Sequence, residues 1–420
     1  MNDAGLPSAA ATPPAAKRRL RTFSSFQNNR NFRIYWTGAF LSNIGTWMQS
    51  VAQGWLVYQL TGSTLLLGVV SFAASIPVLF FALFGGVLAD RIERRQLMIY
   101  TQAGMMILAF ALAALTFLKV VTVWQIMVIS LLNGILIALN APVRQSLISD
   151  LVSRADLQNA VALNSTQYQG SRVVGPTLAG LTLAAFGPAW CFFINGASYL
   201  TVIVALLLLV VPPLPPRRAQ SMRRNLTEGI QYVVKEPTIL ALLLVATIPG
   251  FFGQPYQPML PSVVANLLHM DATGLGFLES AAGAGAVVGA LVIASSGDVK
   301  RRGRLQLWLL ALFGVALILF SQSHWLITSV AFVFLVGLAS MAYSSLNQTF
   351  LQSLAADEMR GRVMAIFTLS TFGLQPIGAL QAGAIGQRFG ISTPLFVGGI
   401  ICILVSVVAT RSKRGKLDEL

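Results

Sequence analysis

The chain has 420 residues, of which 55% are hydrophobic and only 10% charged, well below the roughly 25% of an ordinary soluble domain. That composition excludes a soluble enzyme. The formal charge of +15 does not point to nucleic acid either, because the lysines and arginines fall in short clusters between long apolar runs. Two cysteines and two histidines leave no disulfide framework and little for a zinc site, so neither metal nor cofactor is expected.

In chain order, residues 1–32 read as a basic cytoplasmic arm. Its first 16 positions are rich in alanine and proline, a composition that does not pack. From Lys17 to Arg33, basic residues alternate with Phe23, Phe26 and Phe32, which suits the surface of an anionic bilayer. The first apolar run is long enough to be a retained anchor rather than a cleaved leader. Spans are predicted at 34–60, 64–89, 96–117, 121–141, 160–186 and 189–211, each near the ~20 apolar residues that a bilayer crossing needs. Thr61-Gly62-Ser63 and Gly187-Pro188 supply tight uncharged turns, and a charged loop is expected at 142–159.

Pro212, Pro213, Pro215 and Pro216 stop the sixth span, since proline lacks a backbone donor and clashes with the preceding turn. The linker 212–237 carries Arg217, Arg218, Arg223 and Arg224, with a short surface helix expected at 222–234. Spans resume at 238–262, 273–296, 305–322, 325–350, 362–386 and 391–410, and a basic tail occupies 411–420. The expectation is an all-α polytopic membrane protein, twelve transmembrane helices in two parallel six-helix bundles, 33–211 and 238–410. Of the 29 basic residues, all but Lys119, Arg172 and Arg388 fall on the side of the two termini. That asymmetry places both ends in the cytoplasm.

The stretch from Gly85 to Arg95 (GGVLADRIERR) reads as a tight charged turn between the second and third spans. Asp298, Arg301 and Arg302 form a weaker copy half a chain later, with Val299 in place of an arginine. Asn140, Ser146-Leu147 and Asp150 recur at matching spacing as Asn347, Ser353-Leu354 and Asp357. Such a repeat is what two parallel halves of one transporter architecture require.

On these residues the chain resembles the major facilitator superfamily from about residue 22 to 410. The Gly85-x3-Ala89-Asp90-Arg91-x2-Arg94-Arg95 pattern is similar to that superfamily's signature between its second and third helices. The opening from Phe32 to Gly38, with Ser42 to Gln49, resembles a bacterial branch of enterobactin exporters and macrolide-efflux proteins. The resemblance implies secondary active export, usually by exchange with protons, from the bacterial inner membrane. It does not transfer a particular cargo.

The candidate residues follow. Gly85, Gly86, Asp90, Arg91, Arg94 and Arg95 read as a conformational gate, joined by Asp150, Asp298, Arg301, Arg302 and Asp357 at the same side. Arg172 lies well inside the fifth span and must face a cavity or a partner, because lipid exposure of a charge is costly. It either attracts an anionic cargo or clamps a structural partner. Glu279 is the one acid placed clearly within a span, as a proton carrier, a cargo ligand or a vestibule acid. Asn43, Gln49, Gln53, Asn133, Gln254, Tyr256, Tyr343, Asn347 and Gln375 are further candidates for binding cargo, and Gln257 belongs to the same cluster on the seventh span. Each of them alone reads equally as an interhelical hydrogen bond. Gly170, Gly175, Pro176 and Gly180 read as packing positions and a bend in the fifth span, and they resemble the fifth-helix signature of facilitator exporters apart from the spacing to Gly170.

The leading expectation is therefore a secondary active exporter of a small amphipathic molecule, drug-like or a siderophore, coupled to protons by alternating access. The partners expected are that small molecule, protons and the bilayer, with the protein acting as a monomer. An uptake permease is the nearest alternative, and a non-transporting receptor with the same fold the next. No Gly-x4-Gly-Lys-Ser/Thr loop is present for ATP.

Overall fold

A computed structural model describes residues 24–91, 93–154, 156–209, 222–296 and 302–411. These residues form α-helices and short connections. A short α1 (Ser24–Asn28) precedes the first six passes: α2 (Arg30–Thr61), α3 (Thr64–Arg91), α4 (Arg94–Phe117), α5 (Val123–Asp150), α6 (Leu157–Phe186) and α7 (Pro188–Leu208). A second short helix, α8 (Met222–Lys235), precedes the rest: α9 (Pro237–Phe252), α10 (Tyr256–Asn266), α11 (Ala272–Ser295), α12 (Arg302–Ser321), α13 (Leu326–Leu354), α14 (Arg360–Phe389) and α15 (Ser392–Arg411). With α9 and α10 counted as one interrupted pass, the described residues make twelve passes in two six-helix bundles. Nine of these are long and apolar enough on their own to cross a membrane. Among the remaining three, α2 and α6 are rich in serine, threonine, asparagine and glutamine, and both line the junction of the bundles.

The passes alternate between a termini face, where α2 begins and α15 ends, and a far face. Local chemistry sets their ends. Gly62, Gly187 and Gly390 take positive φ (60°, 82° and 86°) and let the chain turn at the far face after α2, α6 and α14. Thr122 and Gln125 form a reciprocal capping box that starts α5. Pro188 and Pro237 open α7 and α9, where a missing N–H costs nothing.

Three features differ from the sequence expectation. The helix runs on through Gly85 and Gly86 to Arg91 and the next begins at Arg94, so most of the expected charged turn is helical. The expected loop 142–159 is mostly helix: α5 continues past Pro142 to Asp150, because its polar last turns extend beyond the apolar layer and keep their backbone bonds. The seventh pass is broken at Gly253–Pro255, where Pro255 cannot donate to the preceding turn. The short helix expected at 222–234 is present as α8. Asp298, Arg301, the arm before Ser24, the prolines of the linker and the tail beyond Arg411 lie outside the described residues, as do the side chains of Asp90 and Arg91.

Within each bundle the helices meet at small residues. The α11–α13 contact is close at Gly285, which lies against the Phe334 carbonyl, and at Gly337, which lies against the Ala282 carbonyl. Between the bundles two seams form, α6 against α11 and α3 against α14. In the first, Gly180 and Gly276 face each other so closely that a methyl group on Gly180 would lie 2.9 Å from the Gly276 Cα. Such approaches let dispersion and weak polar contacts hold helices together in lipid, where the hydrophobic effect gives little.

Gly285→Val should overpack the α11–α13 contact by about 1–3 kcal/mol. Thermal unfolding of the detergent-purified protein checks this. Gly361→Ala, at a position with open space around it, should leave the midpoint unchanged.

Candidate functional site

The centre of the molecule is built around Arg172. This residue sits midway along α6 and so carries its charge into the apolar layer, where the structure turns it toward the junction of the bundles. Its guanidinium lies over the Trp47 ring of α2, 5.6 Å from the centroid. Its Nη2 donates to Oε1 of Gln257 on α10 at 3.5 Å. Gln257 in turn donates from Nε2 to Oε2 of Glu279 on α11 at 3.2 Å. The buried acid and the fixed base thus come from different bundles and meet through one amide. Only one orientation of that amide satisfies both neighbours: oxygen toward the cation and nitrogen toward the carboxylate.

The walls of this site are aromatic. Tyr168, one turn before Arg172 on α6, has its ring centroid 6.1 Å from that of Trp47 and remains 41% exposed. Tyr256 is buried next to Gln257. Gly175 leaves room for the Trp47 side chain, Gly170 faces the Phe40 ring, and the carbonyl of Pro176 meets Gly276 across the seam. Among the described residues no His, Cys, Asp and Glu gather into a group that could hold a metal ion.

The neutral polar candidates are placed differently. Gln49 accepts from Asn195 Nδ2 at 2.6 Å, tying α2 to α7. Gln53 donates to Ser130 at 3.0 Å, tying α2 to α5. Asn347 accepts from Gln306 Nε2 at 2.6 Å, tying α13 to α12. The Gln254 side chain engages the hydroxyl of Tyr343, whose ring packs 5.9 Å from Phe313. These contacts stitch helices inside one bundle. Asn43, Asn133 and Gln375 are partly covered and do not join the Arg172 chain. Sequence reasoning placed Gln257 in the seventh-span cluster but gave it no role of its own. Its signal was present in the crowding of Pro255, Pro258 and Pro261, which interrupts the pass and presents an amide at mid-depth.

At the termini face, Arg94 Nη1 pairs with Asp150 Oδ2 at 2.8 Å, joining α4 to α5. Arg95 donates to the carbonyls of Leu206 and Leu207 at 2.7 and 2.8 Å, capping the C-terminus of α7 and meeting its negative dipole end. Asp357 pairs locally with Arg360 at 2.7 Å, and Glu228 of α8 pairs with Arg362 of α14 at 2.8 Å. Each of these contacts stays within one half of the chain. At the far face the opposite holds. Tyr58 donates to Asn266 at 2.9 Å, Ser63 to Gln387 at 2.9 Å, and Thr64 to the Gly383 carbonyl at 3.0 Å, all across the junction. Thr177 and Ser280 share a hydroxyl contact of 2.7 Å in the α6–α11 seam. Below the Arg172 level, Gln169 approaches the Met341 sulfur at 3.9 Å across the junction.

A chain of this architecture with a charged pair across its central junction can be compared with known proteins. The model of a family described as transmembrane secretion effectors matches residues 21–420. The chain belongs to this family of the major facilitator superfamily. It is 25% identical to the staphyloferrin A transporter of Staphylococcus aureus, over 92% of this chain and 98% of that protein. It is 26% identical to the enterobactin exporter EntS of Shigella flexneri, over 94% and 96% respectively. The fold superimposes with a TM-score of 0.69 on a bacterial homologue of the lysosomal transporter Spinster in an inward-facing, unoccupied conformation, at 14% identity and covering 95% of this chain and 98% of that one. This protein of the major facilitator superfamily is thus a multi-pass membrane transporter and not an enzyme.

If the far-face contacts open during transport, a disulfide there should stop it. In a background with Cys191 and Cys402 replaced by serine and alanine, Thr177→Cys with Ser280→Cys, whose hydroxyls lie 2.7 Å apart, should cross-link on oxidation and lose cargo flux. Flux should return when a reductant is added. Full flux in the cross-linked protein would show that this face stays shut throughout.

Proposed function

We propose that the protein is a secondary active exporter of a small amphipathic molecule, working by alternating access and exchanging cargo for protons. The observation that carries this reading is the Arg172–Gln257–Glu279 chain. Two opposite charges, each costly alone in an apolar layer, are held together at the point where the two bundles meet. Any rocking of one bundle against the other must stretch or break that chain.

The lysine and arginine asymmetry supports a cytoplasmic termini face in a bacterial inner membrane. In that orientation an exported cargo enters from the cytoplasm or the inner leaflet. Trp47 and Tyr168 offer aromatic surface, and the Glu279 carboxylate accepts hydrogen bonds from donors on the cargo. Residues 33–211 and 238–410 then rock as two bodies, the far-face bonds open, and a proton arriving from outside takes the Glu279 oxygen that the cargo had used. Cargo and proton compete for one group, which is the requirement for exchange. Arg172 is the counter-charge that reaches Glu279 through Gln257. Arg94 and Asp150 hold the gate end of the first body together. The relatives named for staphyloferrin A and enterobactin support a small-molecule cargo, and the enterobactin exporter supports the outward direction.

The test uses the full chain in proteoliposomes with an internal pH indicator and imposed gradients of a catecholate siderophore, a macrolide or a cationic amphiphile. Protons should move against the cargo, and the signal should vanish in Glu279→Gln while persisting in Glu358→Gln, an exposed loop acid. Protons moving with the cargo would replace export by uptake symport. Cargo flux without any pH change would overturn proton coupling.

A further inference from the structure

We infer that the sign of proton coupling depends on which end of the Arg172–Gln257–Glu279 chain a cargo occupies, so that the exporting cycle selects a cationic or hydrogen-bond-donating cargo over an anionic one. This rests on the exchange at Glu279 proposed above and names the cargo class that such an exchange demands.

Glu279 has few neighbours that bear on its charge. From α6 it meets Arg172, the sole charged residue of that helix, together with the hydroxyl of Ser280's partner Thr177 further along the seam. From α10 it meets Gln257 and the buried phenol of Tyr256. The helix α13 carries no charged residue, and Tyr343 is its titratable group. The charged residues of α2 are Arg30 and Arg33, at its termini end, and at this level α2 brings Trp47. Arg172 is therefore the counter-charge that faces Glu279 among the described residues, and it acts through Gln257.

Two consequences follow from the order of donors. A cation or an N–H or O–H donor that binds Glu279 takes the oxygens a proton would take, so its arrival expels the proton, and the two ligands travel in opposite directions. An anion instead takes the guanidinium of Arg172. The Gln257 oxygen loses its donor, the positive charge is neutralised, and Glu279 keeps its bond from Gln257 but loses its counter-charge in an apolar setting. It then gains a proton as the anion binds, and the two travel together. Trp47 and Tyr168 stand at the Arg172 end of the chain and Tyr256 lies beside Gln257, so an aromatic ligand of either charge meets aromatic surface. Charge alone then decides whether the cycle exchanges or co-transports.

The experiment uses two probes of permanent charge, so that every proton counted comes from the protein. The full-length protein in weakly buffered detergent solution, with a pH dye, is titrated with tetraphenylphosphonium or with naphthalene-2-sulfonate, and binding is followed by tryptophan fluorescence. Tetraphenylphosphonium should release protons and the sulfonate should take them up, the two amounts adding to about one per protein at a given pH. Both signals should vanish in Glu279→Gln. Arg172→Gln should abolish the sulfonate response and leave the phosphonium response. Proton movement of the same sign for both probes, or sulfonate binding with no proton uptake, would overturn the inference while leaving exchange at Glu279 intact. Failure of either probe to bind the wild-type protein at millimolar concentration would also overturn it, since the chain would not then be a two-ended site. Proton release that persists in Glu279→Gln would instead overturn the underlying reading of Glu279.

Discussion

A fixed charge placed deep in an apolar layer has to be answered, and in this protein much of the central architecture serves that need. Arg172 is too far along α6 for its guanidinium to stay at a membrane surface, so it turns inward. The indole of Trp47 covers one side of it, and an amide from the opposite bundle meets it on the other. That amide is available because α9 and α10 do not form one straight helix: the interruption at Gly253–Pro255 sets α10 at the position from which Gln257 reaches both Arg172 and Glu279. The glycines of the α6–α11 seam bring Glu279 close enough to matter, and Gly283 lies directly against the Arg172 carbonyl. Charge placement, helix interruption and close backbone approach are thus parts of one arrangement.

The far-face seam and the termini-face ion pairs divide the remaining work. Tyr58, Ser63 and Thr64 make polar contacts across the junction at the far face, whereas Arg94–Asp150, Arg95 on the end of α7, and Glu228–Arg362 each bind a half to itself. A body that is to move as a unit needs internal ties at the end that swings furthest. The two short helices serve the same purpose in parallel ways. Ser25 and Asn29, at α1 and its junction with α2, hydrogen-bond to Asp156 and Asn159 at the start of α6, while Glu228 of α8 pairs with Arg362 of α14 and the Tyr232 hydroxyl accepts from the Ala356 amide in the connection before α14. The sequence repeat has a spatial counterpart as well: Asn140 bonds Thr101 between α5 and α4, and Asn347 bonds Gln306 between α13 and α12.

Hydropathy made the passes legible, because a bilayer-crossing helix must satisfy its backbone internally and be apolar over about 20 residues. The turns at Gly62 and Gly187 were legible for a local reason, the positive φ that glycine permits. Helix ends were harder to read. The run through Gly85 to Arg91 and the extension of α5 past Pro142 both show polar residues continuing a helix beyond the apolar layer, where composition no longer marks the boundary. In the candidate site, the depth of Arg172 and Glu279 could be read from their positions in their spans. Their connection could not, since sequence gives height along a helix while the direction a side chain faces is set by packing. Gln49 illustrates the same limit: its partner Asn195 lies 146 residues away, and nothing near Gln49 in the chain announces an interhelical tie. Arg95 shows the limit for charges, because a basic residue in a gate motif proved to face carbonyls at the end of α7.

The seal at the far face is made of hydroxyls, amides and glycines, with no formal charge in any of its crossing contacts. Dissolved ions weaken interactions between charges and have little hold on neutral hydrogen bonds. A closure built this way responds little to the salt of the medium it faces, in dilute water as in brine.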